Sequence, residues 1–312
     1  MLTKQTQHFL LWLATILFVF CLPLGCDRST DTPVKVSLSV GDKSEMNYKK
    51  ENNSNLRIAI SAVISPKETF VLYKDLLDYI SEKLDVKVDL IQRQTYEEVN
   101  NLVRDNELDL AFVCSGAYVD GHDQFGMELL VAPVAYGDVL YYSYIIVPKT
   151  SNAKSIEDLR GKIFAFTDPM SNTGKLAPTY MIGQMNENID SFFREYIFTY
   201  SHDRSIGMVA HALVDGAAVD GLIWEYLRIT DPILISQTRV INRSEPYGIP
   251  PVVVPLSLEK NLKENLRRLF LNIHTEEEGR KILEKLHIEK FVVMDDNRYD
   301  SIRKMRSWES GK

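Results

Sequence analysis

Ile163-Phe164-Ala165-Phe166-Thr167-Asp168-Pro169-Met170-Ser171-Asn172-Thr173-Gly174 is the stretch on which the fold of this chain turns. An apolar run breaks at Asp-Pro and restarts at Ser-Asn-Thr-Gly ahead of Leu176-Ala177, the pattern of a strand, a tight turn and a helix start. The first turn of a helix presents N–H groups that no carbonyl of the helix accepts, at the positive end of the peptide dipole. With the hydroxyls of Ser171 and Thr173 beside them, these groups suit a small oxyanion. Taken alone, the motif reads better as an ordinary helix cap. The rest of the chain shifts that balance.

Upstream, strands at 56–61, 86–91 and 108–114 alternate with helical spacing at 69–84 and 96–106. A β-α-β-α-β run of this kind gives a parallel sheet covered by helices, with ligands gathering beyond the carboxyl ends of its strands. A longer strand at 140–147 ends at Pro148, and a second α/β series follows, with strands near 161–167, 198 and 217–219. Residues 239–242 and 249–254 then lead back to the first series, and helices at 257–275, 276–286 and 301–305 close the chain. The layout is an α/β chain of two lobes, each a mostly parallel sheet flanked by helices. Residues 56–145 plus 243–312 form the first lobe and 146–242 are inserted as the second, joined by two extended crossings that act as a hinge.

The chain has 312 residues and a net charge of −7, which argues against a nucleic-acid partner but leaves room for a local anion site. Residues 9–24 are almost wholly apolar, too short to span a bilayer and suited to a signal peptide. The run ends in Leu22-Pro23-Leu24-Gly25-Cys26, which looks like a bacterial lipobox, with Pro23 where that pattern has Leu. Residues 1–26 are read as an export signal whose Cys26 is acylated; a plain signal peptide or a short uncleaved membrane anchor are the other readings. Residues 27–55, rich in Ser, Thr, Asp, Asn and Lys, read as a flexible tether spanning on the order of 30 Å. The body then keeps one cysteine, Cys114, in an apolar strand, which excludes an internal disulfide and suits a buried, inert thiol.

Five anchors in order carry a resemblance over 56–300: Gln94-Thr95-Tyr96, Tyr141-Tyr142-Ser143, Asp168 to Gly174, Ser201-His202-Asp203 and Val214 to Asp220. In these the chain resembles the periplasmic solute-binding proteins for phosphonate, phosphite and phosphate of ABC importers. The resemblance implies the type II periplasmic-binding-protein fold and a cleft in which Ser171, Asn172 and Thr173 cradle the P–O oxygens, with Gly174 allowing close backbone approach. His202, Tyr96 and Tyr142 would close over them, with Ser115 adding a hydroxyl or N–H. Asn172 stands where the family has a hydroxyl, so its contact is either the side-chain amide or the backbone. Pleat parity leaves Tyr141 able to exchange roles with Tyr142. Asp220 either meets a protonated P–OH or caps the following helix and orients His202. The absence of a second acid near Asp220 favours phosphate, phosphite or methylphosphonate over 2-aminoethylphosphonate, whose buried ammonium would need a partner.

Enzymatic readings lack parts. Pro169 stands where a P-loop requires Gly, no Cys/His set has zinc-ligand spacing, and no Gly-x-Ser-x-Gly elbow occurs. The expectation is a binding protein without cofactor, metal or catalytic residues. It would be an exported, monomeric, lipid-anchored protein facing the periplasm or the outer surface of the cytoplasmic membrane, delivering its ligand to an ABC permease. The alternatives are a sensor acting on a membrane histidine kinase or cyclase and, further off, an exported phosphate-ester hydrolase.

Overall fold

The computed structural model describes residues 35–37 and 55–311. The signal segment, Cys26 and the rest of the tether lie outside the described residues. In chain order the strands of the first half are Lys35–Ser37 (β1), Leu56–Ile60 (β2), Val88–Ile91 (β3), Leu110–Phe112 (β4), Glu128–Ala135 (β5), Leu140–Tyr141 (β6) and Ser143–Pro148 (β7). Those of the second half are Ile163–Phe166 (β8), Glu195–Phe198 (β9), Gly216–Asp220 (β10), Thr238–Arg243 (β11), Tyr247–Gly248 (β12), Val252–Val254 (β13) and Ile288–Val292 (β14). One sheet has the order β1-β3-β2-β4-β13-β5-β14 and the other β11-β7-β10-β8-β9.

Each sheet is built around three parallel strands, β3-β2-β4 in the first lobe and β9-β8-β10 in the second. The strands that carry the chain between lobes, β13 and β7, enter antiparallel to these. Both sheets are therefore mixed, a correction to the mostly parallel expectation: a chain that leaves one lobe and returns must cross back against the strand direction. Lys35–Ser37 pairs antiparallel with β3, so these three residues of the expected tether form an edge strand.

Pleat alternation divides the core. Leu56, Ile58 and Ile60 face one apolar cluster of the first lobe while Ala59 faces the other. In the second lobe, Phe164 and Phe166 turn to one side of the sheet and Ala165 to the other. Each such fully buried Phe or Ile side chain contributes about 1.5–3 kcal/mol.

Residues 140–147, one strand by sequence, are split between β6 and β7. The short β6 pairs with β12, so the outgoing and returning crossings bond directly to each other. The sequence boundary at 145/146 falls within β7, which pairs with β10 and β11 of the second lobe. The last helix, Asp300–Ser310, also departs from a pure first-lobe assignment. Ile302 and Met305 share a cluster with Leu176 and Ala177, Trp308 packs edge-on against Tyr180, and Glu309 pairs with Lys175.

The lobes are closed on one another. Tyr96 N–H donates to Asp168 Oδ2 at 3.1 Å, His202 N–H to the Val63 carbonyl at 2.9 Å, and Ser65 N–H to Asp203 Oδ1 at 3.1 Å.

Candidate ligand-binding site

The carboxyl ends of β2 and β4 meet those of β8 and β10 across the cleft. After β8 the chain forms a π-helical turn, Asn172–Leu176, before the helix Ala177–Gln184. Pro178 explains it. In a continuous α-helix the N–H of residue 178 would bond the Gly174 carbonyl, and proline has none. The Gly174 carbonyl instead accepts Thr167 N–H at 3.2 Å, and Ala177 N–H reaches back to the Asn172 carbonyl. Ser171 Oγ caps the turn by accepting Gly174 N–H at 2.9 Å, and Ser143 Oγ donates to the Thr173 carbonyl at 2.6 Å. Gly174 is dictated from within the second lobe, because a Cβ there would lie 1.6 Å from Thr167 Oγ1. Its N–H is spent on Ser171 Oγ, and the close approach it allows is to Thr167 within the lobe.

Asn172 spans the lobes. Its backbone N–H points to the Cys114 sulfur and its Nδ2 donates to Tyr141 Oη at 3.2 Å. Gly116 permits this approach, since a Cβ on it would lie 2.4 Å from the Met170 carbonyl. Asp168 fixes the turn from below by accepting Met170 N–H at 2.8 Å and Tyr96 N–H at 3.1 Å.

Around the turn, polar oxygens are buried without a hydrogen-bond partner: Thr173 Oγ1, Asn172 Oδ1, Tyr96 Oη, Ser201 Oγ and Ser61 Oγ. Such groups cost about 1–3 kcal/mol each when nothing meets them. Ser61 lies just past β2, and Ser201 stands at the N-cap position of the helix His202–Ala210 with its hydroxyl unspent. His202 is buried, and its Nδ1 accepts Asp220 N–H at 2.9 Å, so the ring proton is assigned to Nε2. Burial lowers the imidazole to about 3, which keeps it a neutral donor.

Asp220 closes β10 and caps the helix Gly221–Thr230, its Oδ1 accepting Leu222 N–H at 2.8 Å. Burial raises its carboxyl to about 7, against the lowering pull of the Leu222 and Ile223 N–H groups. The capping reading is thus realised, and the raised value also allows the acid to hold a proton. Asp220 and Ser61 line an interlobe cavity of about 130 Å³ whose other walls are mostly apolar. A larger cavity of about 260 Å³, on the first lobe near Tyr79, Lys83 and Arg268, contains none of these groups.

The helix Ser115–Phe125 begins directly after β4, with Ser115 Oγ donating to the Gly248 carbonyl at 2.7 Å and lying within reach of Tyr141 Oη. Tyr142 is not brought to the cleft. Its ring stacks on the Arg243 guanidinium at 3.4 Å, while Tyr141, one residue earlier on the opposite side of the pleat, is buried against Asn172. Tyr141 replaces Tyr142 for this reason. Among the described residues no group of His, Cys, Asp and Glu is arranged to hold a metal ion, and no helix is long and apolar enough to cross a membrane.

A family model of ABC transporter phosphonate periplasmic substrate-binding proteins matches residues 58–299. The chain belongs to that family. It is a type II periplasmic binding protein by fold, and the family consists of substrate-binding proteins of transporters, not enzymes. It is 24% identical over 238 residues to the probable ABC transporter phosphite binding protein PhnD1 of Prochlorococcus marinus (strain MIT 9301), covering 72% of this chain and 80% of that one. Among solved structures, it superposes with a TM-score of 0.78 and 24% identity on a binding protein component of an ABC phosphonate transporter from Pseudomonas aeruginosa, over 83% of this chain and 87% of that one. A structure of P. marinus PhnD1 in complex with methylphosphonate gives a TM-score of 0.75 and 20% identity, over 83% and 99% of the two chains.

In this phosphonate-family chain, sequence reasoning missed Ser61 as a cleft group and Ser143 and Asp168 as supports of the turn. Ser61 could have been found from its place at the carboxyl end of the first strand, where ligands of such sheets gather. Ser143 could not, because its partner is a carbonyl 30 residues away.

Proposed function

We propose that this substrate-binding protein captures a small phosphorus oxyanion (phosphate, phosphite or phosphonate) between its lobes and delivers it to an ABC permease. The observation that carries this is the set of buried, unpartnered oxygens contributed by both lobes, Tyr96 and Ser61 from the first and Thr173 and Ser201 from the second. In the ligated form Thr173, Tyr96 and Ser171 offer hydroxyls, His202 offers Nε2–H, Asn172 its amide, and Asp220 a shared proton, while the Ser115 hydroxyl stays on the Gly248 carbonyl. Closure excludes water and strengthens each of these bonds. P. marinus PhnD1, whose structure holds methylphosphonate, is a relative of matching fold. Among the described residues Asp220, which shares its proton with the ligand head, is the one charged side chain in the walls of the adjoining cavity, so no second acid is left for the ammonium of 2-aminoethylphosphonate.

Upstream, Cys26 would carry the acyl anchor, and the residues between it and the edge strand Lys35–Ser37 would tether the body to the membrane as a monomer on the periplasmic side. Isothermal titration with phosphite, phosphate, methylphosphonate, 2-aminoethylphosphonate and sulfate tests the ligand class. Binding of one or more of the first three is expected. Binding of none of them, or tight binding of 2-aminoethylphosphonate alone, would overturn the reading.

A further inference from the structure

We infer that the apolar cavity beside Asp220 receives the carbon substituent of the bound ligand, so that the preferred substrates are alkyl- or arylphosphonates carrying about four to six carbons. This rests on the proposed binding of phosphorus oxyanions and specifies which member of that class the cleft is shaped for.

Three observations carry it. The first is continuity with the anion groups. Asp220, whose N–H is bonded to His202 Nδ1, and Ser61, whose hydroxyl is buried and unpartnered, both stand in the cavity wall. A tetrahedral head whose three oxygens are shared among the turn, His202, Tyr96 and Asp220 presents its fourth substituent to the remaining side.

The second is lining. Leu72, Phe112, Ile249 and Phe291 come from the first lobe and Leu222 and Ile223 from the second, so closing the lobes wraps apolar surface around whatever enters. Among the described residues Asp220 is the only charged one in the walls, so a carboxylate on the substituent has no cation to meet, and an ammonium would compete with the phosphonate head for the one acid. Both charged substituents are disfavoured, and hydrocarbon is not.

The third is size. The cavity measures about 130 Å³. A dry cavity of about 150 Å³ lined by Leu, Ile and Phe accommodates a benzene ring. Methylphosphonate or phosphite would leave most of the space unfilled.

The test is a titration series on the unmodified protein with phosphite and with methyl-, propyl-, butyl- and phenylphosphonate. Affinity is expected to rise about threefold to fourfold per methylene up to butyl, with phenyl comparable. Leu72→Trp, on the helix Pro66–Leu84 away from the anion groups, should remove the gain for butyl and phenyl while phosphite binding stays within about twofold. Affinity that is flat or falls beyond methyl, with methylphosphonate still bound, would overturn this inference and leave the proposed function standing. Loss of binding for the whole series, phosphite and methylphosphonate included, would overturn both.

Discussion

Replacing Asp220 by Asn should uncouple ligand affinity from pH. The carboxyl is buried at the end of β10 and raised to about 7, chiefly by desolvation, with the N–H groups of Leu222 and Ile223 pulling the other way. The groups that feel its charge are Tyr73, Tyr96, Tyr136, Tyr141 and Cys114, all neutral near pH 7. Because the folded value is raised, the stabilisation from holding this proton is full below about 3.8 and is lost as pH rises through about 7. Ligand binding uses the same proton. A P–O oxygen facing Asp220 requires one hydrogen between the two groups, whichever of them carries it. Once both are ionised, that proton must come from solvent, and Kd rises about tenfold per pH unit. Because half of the carboxyl is still protonated at pH 7, the loss between pH 7 and 9 is about fiftyfold, or about 2.3 kcal/mol. Asp220→Asn supplies a permanent N–H donor, so its Kd should be nearly flat over the same range. Isothermal titration of methylphosphonate at pH 6, 7, 8 and 9, in buffers of different ionisation enthalpy, reads both the slope and the proton uptake. A wild-type Kd constant within about threefold from pH 7 to 9, or a variant that keeps the wild-type slope, would refute the reasoning.

Thr173→Val removes a buried hydroxyl that has no partner in the free protein. Affinity should fall about tenfold to a hundredfold while the melting temperature of the free protein holds or rises, since a hydrogen bond to a charged group is worth about 1.5–3 kcal/mol and an orphaned group is removed. Gly116→Ala places a Cβ 2.4 Å from the Met170 carbonyl. Small-angle scattering should show a more open particle with unchanged helix content by circular dichroism, and ligand affinity should drop at least about tenfold because the closed form is strained. Tyr141→Phe, which deletes the acceptor for Asn172 Nδ2, should weaken binding about fivefold to tenfold in the same titration. Tyr142→Phe, whose ring faces Arg243, should change it less than about twofold.

The two-lobed order was legible because apolar periodicity and turn residues agree along most of the chain, as at Leu56–Ile60 and Pro66–Leu84. The helix Ser115–Phe125 was not, since Gly116 and Gly121 lower its propensity and its role is to bring Gly116 against the turn. Nor was β14, whose outward Glu289 and Lys290 hide its two-residue period. In the site, the turn, His202, Tyr96 and Asp220 were readable as types at spacings. Their electrostatics were not, because the lowering of His202 and the raising of Asp220 follow from burial by the opposite lobe. The choice between Tyr141 and Tyr142 depends on a one-residue parity. It is set by the break between β6 and β7, where Ser143 N–H leaves to the Ser244 hydroxyl at 2.9 Å and the Tyr142 carbonyl accepts Gly221 N–H.

The most direct test is a crystal structure of the protein with methylphosphonate. Its phosphonate oxygens should lie about 2.6–3.1 Å from Thr173 Oγ1, Tyr96 Oη and His202 Nε2, with the methyl group toward the cavity beside Asp220. Density for the ligand elsewhere, such as between Tyr79 and Arg268, or a cleft that stays empty at saturating ligand, would contradict the account.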